Sequence, residues 1–558
     1  VCLAGVSLFN PPSLPASLLS SLGSPHVTSS STKMVTYELK NQASITARGG
    51  EQEYSIQDRD NLQLQRLGKK PVLKRNFGIL SILGFSCTIL GTWEGLLGGG
   101  SGGAVYAYIF AWVGTACTFV VLGEMGSMAP TSGGQYHWCS MLAPIKQQKF
   151  LSYITGWMAV MGWQTAFASA SYLCGTEIQG TAILAHKLYE PEAWHGTLIV
   201  WAALVAALLA NLVGGKFLPR LEAIILVVHI IGFFGILIPL VYMSEHKSND
   251  EVFLQFLNSG EFPTQGISWF VGMTSCAFAF AGGDAAVHMA EEVNNASRVI
   301  PRALMMSVGI NGCLGFGMLL AMLFCLGDMD DALNTTTGYP FIEVFYQGTG
   351  SMAGSLTMCS IILIIAVCSV VGLLAATSRQ FWSFARDRGV PGWRFWSQVS
   401  PTNRLPMWSV LLTTLISLLL ALINIGSSVA LNDVLSMAVS GLYSSYLIVS
   451  VLLLFRRIKG DISRYNDNDD DVVNLPGKKL VWGPFHVPGI WGILINGFAV
   501  IYIIIVIFWS FWPTAMNPSV TDMNYSVVGW GGVIFLATLY YVIRARHVYT
   551  GPVVEISM

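Results

Sequence analysis

The stretch that decides the fold is FAFAGGDAAVHMAEEV, Phe278 to Val293. Its first half ends an apolar run of the length that crosses a bilayer, about 20 residues for ~30 Å of hydrocarbon. Gly282, Gly283 and Asp284 interrupt that run with flexible backbone and a carboxylate. Both are tolerated at membrane depth only where the protein encloses a cavity. The stretch therefore predicts a broken membrane helix beside a binding site.

The composition indicates a polytopic membrane protein. Of 558 residues, 53% are hydrophobic and 11% are charged, and the mean hydropathy is +0.57. A soluble protein of this length would need more charge to cover its surface. The net charge of −1 gives no indication of a nucleic-acid partner, and we predict none. The ten cysteines form no CxxC pair, so we predict no metal site and no cofactor.

Twelve apolar runs are long enough to be membrane spans. Their approximate limits are 77–97, 103–126, 151–178, 196–213, 221–243, 267–292, 303–327, 353–385, 405–424, 430–455, 489–512 and 526–546. If both termini are cytoplasmic, 28 of the 30 lysines and arginines lie on the inner side, and only Lys187 and Lys247 lie outside. The positive-inside rule therefore predicts cytoplasmic termini.

A second interruption matches the first. Span 1 contains GTWEG, Gly91 to Gly95, about fifteen residues after it starts, and span 6 contains AGGDA, Ala281 to Ala285, about fourteen residues after Ser268. The two spans run in opposite directions and stand five spans apart. Interrupted spans at matching places in two inverted halves are the best sequence indication of a secondary transporter's binding site.

The residues at and near the breaks are the predicted substrate site: Gly91, Thr92, Trp93, Glu94, Trp163, Phe280, Gly282, Gly283 and Asp284. Glu94 and Asp284 each follow a break. They either cap the new helix N-terminus or present negative charge to a cationic solute, and both interpretations stay open. The aromatic side chains either complete a cage for an ammonium group or pack as ordinary core residues.

Three motifs resemble a known family. They are GEMGSMAPTSGGQYHWCSMLAP, AFAGGDAAVHMAEEVNNASRVIPRAL and ATSRQFWSFARDRGVP, which begin at Gly123, Ala279 and Ala376. In this order they are similar to the amino acid–polyamine–organocation transporters. With FWPTAMNP, which begins at Phe511, they resemble the fungal branch that contains choline, GABA and amino-acid permeases.

The resemblance implies an all-α, leucine-transporter-like fold with a five-plus-five inverted repeat, broken spans 1 and 6, and two peripheral spans. Many amino-acid members carry a glycine-rich turn in span 1 whose bare amides bind the substrate carboxylate. The matching stretch here is LGTWEG, Leu90 to Gly95, which places Glu94 near those amides. This departure favours choline or another cation, with GABA and amino acids as the alternatives.

The resemblance also implies a coupling-ion site between spans 1, 5 and 8, where the matching residues are His229, Thr377 and Ser378. Imidazole changes charge within the physiological pH range, so we expect a proton rather than sodium to couple transport. Sodium would use the two hydroxyl oxygens instead. A neutral His229 bonded to a backbone carbonyl is the structural alternative, and His288, with Glu291 and Glu292 after it, is a second candidate.

These observations predict a secondary transporter that imports a small amine-bearing solute by alternating access in the plasma membrane. We expect a disordered tail over 1–76, a transporter domain over 77–546 and a short tail over 547–558. The core repeats occupy about 77–243 and 267–455, and the peripheral spans 489–512 and 526–546. No HExxH sequence or catalytic grouping is present, so we predict no enzyme. A sensor of the same fold that signals without transporting is the alternative, as is a sodium-coupled amino-acid permease.

Overall fold

The structure is a computed structural model that describes residues 56–92, 100–186, 188–213, 217–258, 260–426, 430–465, 473–520 and 522–555. The first ten helices in chain order are α1 Ile56–Arg66, α2 Ile79–Ile89, α3 Gly100–Met128, α4 Gln135–Leu142, α5 Gln148–Ala185, α6 Ala193–Val213, α7 Leu218–Met243, α8 Asn249–Phe253, α9 Gln265–Ala279 and α10 Ala285–His288. A 3₁₀ turn, Ala290–Glu292, follows α10.

The second half of the chain is also helical. Its helices are α11 Ala296–Phe324, α12 Met329–Leu333, α13 Pro340–Thr349, α14 Met352–Arg386, α15 Trp393–Trp396, α16 Met407–Leu420, α17 Ile423–Gly426, α18 Ala430–Lys459, α19 Gly489–Ser510, α20 Ser526–Tyr540 and α21 Arg546–Val548. Two short parallel strands, β1 Ile462–Ser463 and β2 Leu480–Val481, join α18 to α19. The predicted all-α class is confirmed.

Each of the twelve predicted runs contains helix. Within the described ranges, nine helices are long and apolar enough to cross a membrane. Helix α5 has 38 residues but is not among the nine, and it packs against α14 and α18 in the interior. Helices α2 and α9 are shorter and end at Ile89 and Ala279. The protein is an integral membrane protein, and the count of twelve spans stays a prediction.

Span 6 is broken at the predicted glycines. Helix α9 ends at Ala279 and α10 begins at Ala285. Between them Gly282 has a φ of +87°, a conformation that glycine adopts without steric cost. The second half is less regular than predicted, because α10 has only four residues before the 3₁₀ turn.

The segment before span 1 is ordered where the structure describes it. Helix α1 and the residues after it bury the apolar side chains of Leu64, Leu67 and Leu73. The prediction of a disordered tail is therefore wrong for residues 56–76, because these side chains give the segment an apolar anchor on the membrane domain. Residues 1–55 lie outside the described part of the chain.

The start of span 1 is bonded to the end of span 6. Phe77 and Val293 form a parallel β-bridge. The backbone N–H groups of Asn76 and Phe77 donate to the Glu292 carbonyl at 2.9 and 3.0 Å, and Asn294 N–H donates to the Phe77 carbonyl at 3.0 Å. These bonds join the inner ends of both broken spans.

Two ion pairs connect the end of span 6 to α14. Arg386 donates to both carboxylate oxygens of Glu291 at 2.9 and 2.8 Å, and Arg379 Nε donates to Glu292 Oε1 at 2.9 Å. All four side chains are largely buried. Bidentate arginine–carboxylate pairs are among the strongest polar contacts in proteins. Arg379 and Arg386 of α14 thus anchor the end of span 6.

A third buried pair joins the chain before span 1 to the end of α14. Lys69 Nζ donates to Asp387 Oδ1, Tyr136 Oη donates to Asp387 Oδ2 at 2.8 Å, and Val553 N–H donates to Asp387 Oδ1 at 2.9 Å. Burial alone would raise the pKa of Asp387, but Lys69 and Arg386 hold that pKa below its usual value. Since a lowered carboxyl pKa stabilises the fold above the unfolded value of about 4, this contribution is complete at neutral pH and is lost in acid.

We predict that Asp387→Asn destabilises the purified protein by about 3–5 kcal/mol at neutral pH, because Lys69 stays buried without its counter-charge. The measurement is chemical unfolding in detergent. The double variant Lys69→Met with Asp387→Asn is expected to recover at least half of the loss. A double variant as unstable as the single one would contradict the pairing.

Candidate substrate-binding site

The break in span 1 is held by an amide from span 7. Asn311 Nδ2 donates to the carbonyl oxygens of Cys87 at 2.6 Å and Leu90 at 3.0 Å, at the end of α2. The backbone carbonyl oxygen of Asn311 in turn accepts hydrogen bonds from Thr92 Oγ1 at 3.1 Å and from Tyr108 Oη at 3.2 Å. The last carbonyls of a helix have no partner within the helix. Asn311 supplies that partner where water is excluded.

A cavity of about 340 Å³ lies at the two breaks. Both interruptions contribute to its wall: Gly91 and Thr92 from span 1, and Ala281 and Gly282 from span 6. Its polar lining side chains include Thr92, Glu177, His229, Ser275, Asn311 and Tyr339. The remaining wall is mostly apolar, which is the usual composition of a small-molecule site.

Asp284 lies outside this lining. Its side chain is fully buried, and it accepts a hydrogen bond at 2.5 Å from Tyr446 Oη and one at 2.7 Å from Gln135 Nε2. His288 Nε2 lies 4.0 Å from its second oxygen. Asp284 occupies the N-cap position of α10, but its side chain makes no capping hydrogen bond to that helix. Asp284 instead connects span 6 to α4 and α18.

The predicted aromatic residues also face protein. The rings of Phe280 and Tyr108 meet edge to face at 5.0 Å, and those of Trp163 and His288 at 5.1 Å. Gly283 is packed too, because a Cβ there would lie 2.5 Å from the Phe119 ring. None of Phe280, Trp163 and Gly283 is among the described cavity-lining residues.

Trp93 and Glu94 lie in 93–99, outside the residues that the structure describes. Of the predicted substrate residues that are described, the structure brings Gly91, Thr92 and Gly282 together at the cavity. A cavity of this kind between two broken helices is what the motifs imply for a transporter.

The sequence profile of the amino acid permease family matches residues 77–533. The chain belongs to this family. It is therefore a membrane transporter of small amino-acid or amine-type solutes and not an enzyme.

The permease is similar to curated fungal transporters over most of its length. It is 31% identical to a putative amino acid/polyamine transporter of Macrophomina phaseolina over 80% of this chain and 96% of that protein. It is 30% identical to the choline transporter of Saccharomyces cerevisiae, over 85% and 82% respectively. It is 26% identical to amino-acid permease 2 of Neurospora crassa, over 88% of each.

The three predicted coupling residues of the permease have different surroundings. His229 lines the cavity, and its buried Nδ1 has no hydrogen-bond partner among the described residues, so no carbonyl bond to that nitrogen is present. Thr377 Oγ1 donates to the Trp163 carbonyl at 3.2 Å. Ser378 Oγ donates to the Ala375 carbonyl at 3.0 Å and accepts from Arg379 at 3.3 Å. A hydroxyl that accepts from a guanidinium is poorly placed to bind sodium.

The second coupling candidate has different neighbours from those predicted. His288 Nδ1 lies 2.9 Å from the Ser132 carbonyl, while Glu291 and Glu292 pair with the arginines of α14. Helix α10 ends at His288, so the residues three and four positions later are no longer on its helical face. The predicted grouping of His288 with these carboxylates is wrong for that reason.

Sequence reasoning missed two residues at the cavity, Glu177 and Asn311. Glu177 is 4% exposed and lies in the long helix α5. A carboxylate inside a membrane span is a functional candidate by default, and this signal was available in span 3. Asn311 gives a weaker signal, because one asparagine in an apolar run does not reveal which carbonyls it meets.

We predict that Gly282→Ala lowers the thermal stability of the purified permease, by about 1–2 kcal/mol from the positive φ alone. The added Cβ would also come within 3.0 Å of Ile89 Cγ2. Gly309→Ala in α11 is the matched control, because a Cβ there meets nothing within 4 Å. Equal unfolding temperatures for the two variants would contradict the observed backbone conformation.

Proposed function

We propose that the permease imports a small solute with a positively charged amine, choline-like in chemistry, and binds it in the central cavity. The observation that carries the proposal is the charge of the cavity wall. Among the lining residues that the structure describes, Glu177 is the only carboxylate, and no lysine or arginine is present. A cation gains a counter-charge there, whereas a free carboxylate on the solute finds no cationic partner.

The size and the aromatic content of the cavity support the same solute. A volume of about 340 Å³ is at the lower end of small-molecule pockets. Phe233, Phe278 and Tyr339 line it, and aromatic faces attract quaternary and primary ammonium groups. They take the place of Trp163 and Phe280 in our proposed amine site. Glu94, two residues after Thr92 in the chain, lies outside the described residues and stays a predicted member of this site.

The similarity to a choline transporter and to a putative amino acid/polyamine transporter supports an amine-bearing solute. We further infer cytoplasmic termini, as the lysine and arginine distribution indicates, and residence in the plasma membrane. Alternating access would open the inner side by breaking the two ion pairs between span 6 and α14.

His229 is the proposed proton-coupling residue. It lies on the cavity wall, so a proton can reach its imidazole from the same space that the solute enters. In co-transport the conformation that releases the solute on the inner side also releases this proton, which links the two movements. Sodium coupling would need a set of oxygen ligands, which Thr377 and Ser378 do not provide in this conformation. Proton coupling has no such requirement.

The first prediction concerns the solute. Cells that express the permease are expected to take up labelled choline above vector controls, and excess GABA is expected not to compete. Glu177→Gln should weaken apparent choline affinity about tenfold or more, equivalent to about 1.4 kcal/mol. Glu190→Gln, on the exposed outer loop, is the matched control. No choline uptake by the wild type would overturn the choline assignment. If GABA and amino acids are not taken up either, the alternative of a sensor that does not transport would be favoured.

The second prediction concerns coupling. Proteoliposomes with His229→Ala are expected to exchange internal for external choline at a rate within about twofold of the wild type, but to lose accumulation driven by a pH gradient. The comparison of these two assays separates proton coupling from solute binding. Normal pH-driven accumulation in the variant would remove His229 from the mechanism.

A further inference from the structure

One buried carboxylate has no part in the site described above. Glu222 lies on α7, one turn from its start, and is fully buried. Neither of its carboxylate oxygens has a hydrogen-bond partner in the described part of the chain, and no described lysine, arginine or histidine forms an ion pair with it. This contrasts with Glu291 and Glu292, which pair with arginines at the inner end of span 6.

The surroundings of Glu222 exclude water through close packing. A Cβ at Gly84 in α2 would lie 2.0 Å from the Glu222 carbonyl oxygen, and one at Gly372 in α14 would lie 3.6 Å from Glu222 Oε1. The Thr88 hydroxyl faces the carboxyl group but donates to the carbonyls of Gly84 and Phe85. An unpaired negative charge in such a place is strongly unfavourable. In this conformation the side chain is therefore a neutral carboxylic acid.

Among the described residues, no charged side chain of the helices packed on α7 bonds to this group. The titratable side chains that these helices bring near it are the thiols of Cys87 on α2, beside Leu226, and Cys368 on α14. Helix α11 contributes the neutral Ile310 at the same level. Helix α13 meets only the outer end of α7, near Leu240 and Ser244.

Glu222 contacts α2 one helical turn away from the cavity lining. Thr88 lines the cavity, and Gly84, which touches Glu222, lies one turn earlier on α2. On α7 itself, His229 follows seven residues later, on the same helical face and about 10 Å along the axis. Two protonatable side chains thus follow one line, from the cavity wall towards the end of α7 that carries the exposed Arg220.

We propose that Glu222 is a second proton-carrying group, which holds the co-transported proton between the cavity and the inner face. The proposal rests on the proton coupling inferred above. In this conformation the carboxylic acid is packed between α2 and α14. When these helices separate from α7, water reaches the group, the O–H bond breaks, the proton passes to water, and a carboxylate remains until the next cycle.

The test uses the full-length permease, in two assays that fail independently. The first is infrared spectroscopy of the purified protein at pH about 7, where exposed carboxyl groups are ionised. The wild type and Glu190→Gln should show the carbonyl band of a buried protonated carboxylic acid. The difference spectrum of wild type minus Glu222→Gln should contain that band, because other buried carboxyl groups such as Asp284 are unchanged in both. This assay needs no solute, so it decides the protonation of Glu222 even if choline is not transported. Identical spectra for wild type and Glu222→Gln would overturn the proposal.

The second assay is transport in proteoliposomes. The neutral amide of Glu222→Gln imitates the protonated acid, so choline exchange should stay within about twofold of wild type while pH-driven accumulation falls about tenfold or more. Glu222→Asp, which keeps a titratable carboxyl group, should restore accumulation with a shifted pH profile. If Glu222→Gln does not fold, the same infrared band should move in frequency in Glu222→Asp. Normal pH-driven accumulation in Glu222→Gln, or an unmoved band in Glu222→Asp, would overturn the proposal.

Discussion

The structure depends on satisfying backbone carbonyls where a membrane helix stops in the dry interior. Each unpaired carbonyl at that depth is costly, so an interruption persists only if side chains replace the missing hydrogen bonds. Asn311 does this for span 1 with two bonds from one amide group. The cavity exists because the backbone beside it is held open in this way. A hydroxyl at position 311 could not serve both carbonyls, since it has a single hydrogen to donate.

The sequence predicts how far along a membrane span a residue lies much better than it predicts which way the side chain points from the helix. The Gly282–Gly283 pair located the break in span 6, and the same reasoning placed Thr92 and Gly282 at one level. That reasoning did not predict that the Asp284 side chain bonds to Tyr446 and lies outside the cavity lining. That orientation depends on how α4 and α18 pack, and no local pattern in the chain encodes it.

Isolated carboxylates inside long apolar runs were also not predicted as site residues. Glu177 and Glu222 each stand in a span whose hydropathy is dominated by its neighbours, and attention to glycine breaks passed over them. The fold class needed only periodic apolar runs and the distribution of basic residues. The site needed single polar side chains, whose partners come from distant parts of the chain: Asn311 meets Cys87 across 224 residues. The spacing of residues along the sequence does not predict long-range pairs of this kind.

The bridge between Phe77 and Val293 has a mechanical consequence. Backbone hydrogen bonds join the start of span 1 to the end of span 6, so a passage between these two ends would first have to break those bonds. The contacts of the same segment with α14 are side-chain ion pairs, which water can replace one at a time. Residues 291–294 therefore combine backbone bonds to span 1 with exchangeable side-chain bonds to α14 in one short segment.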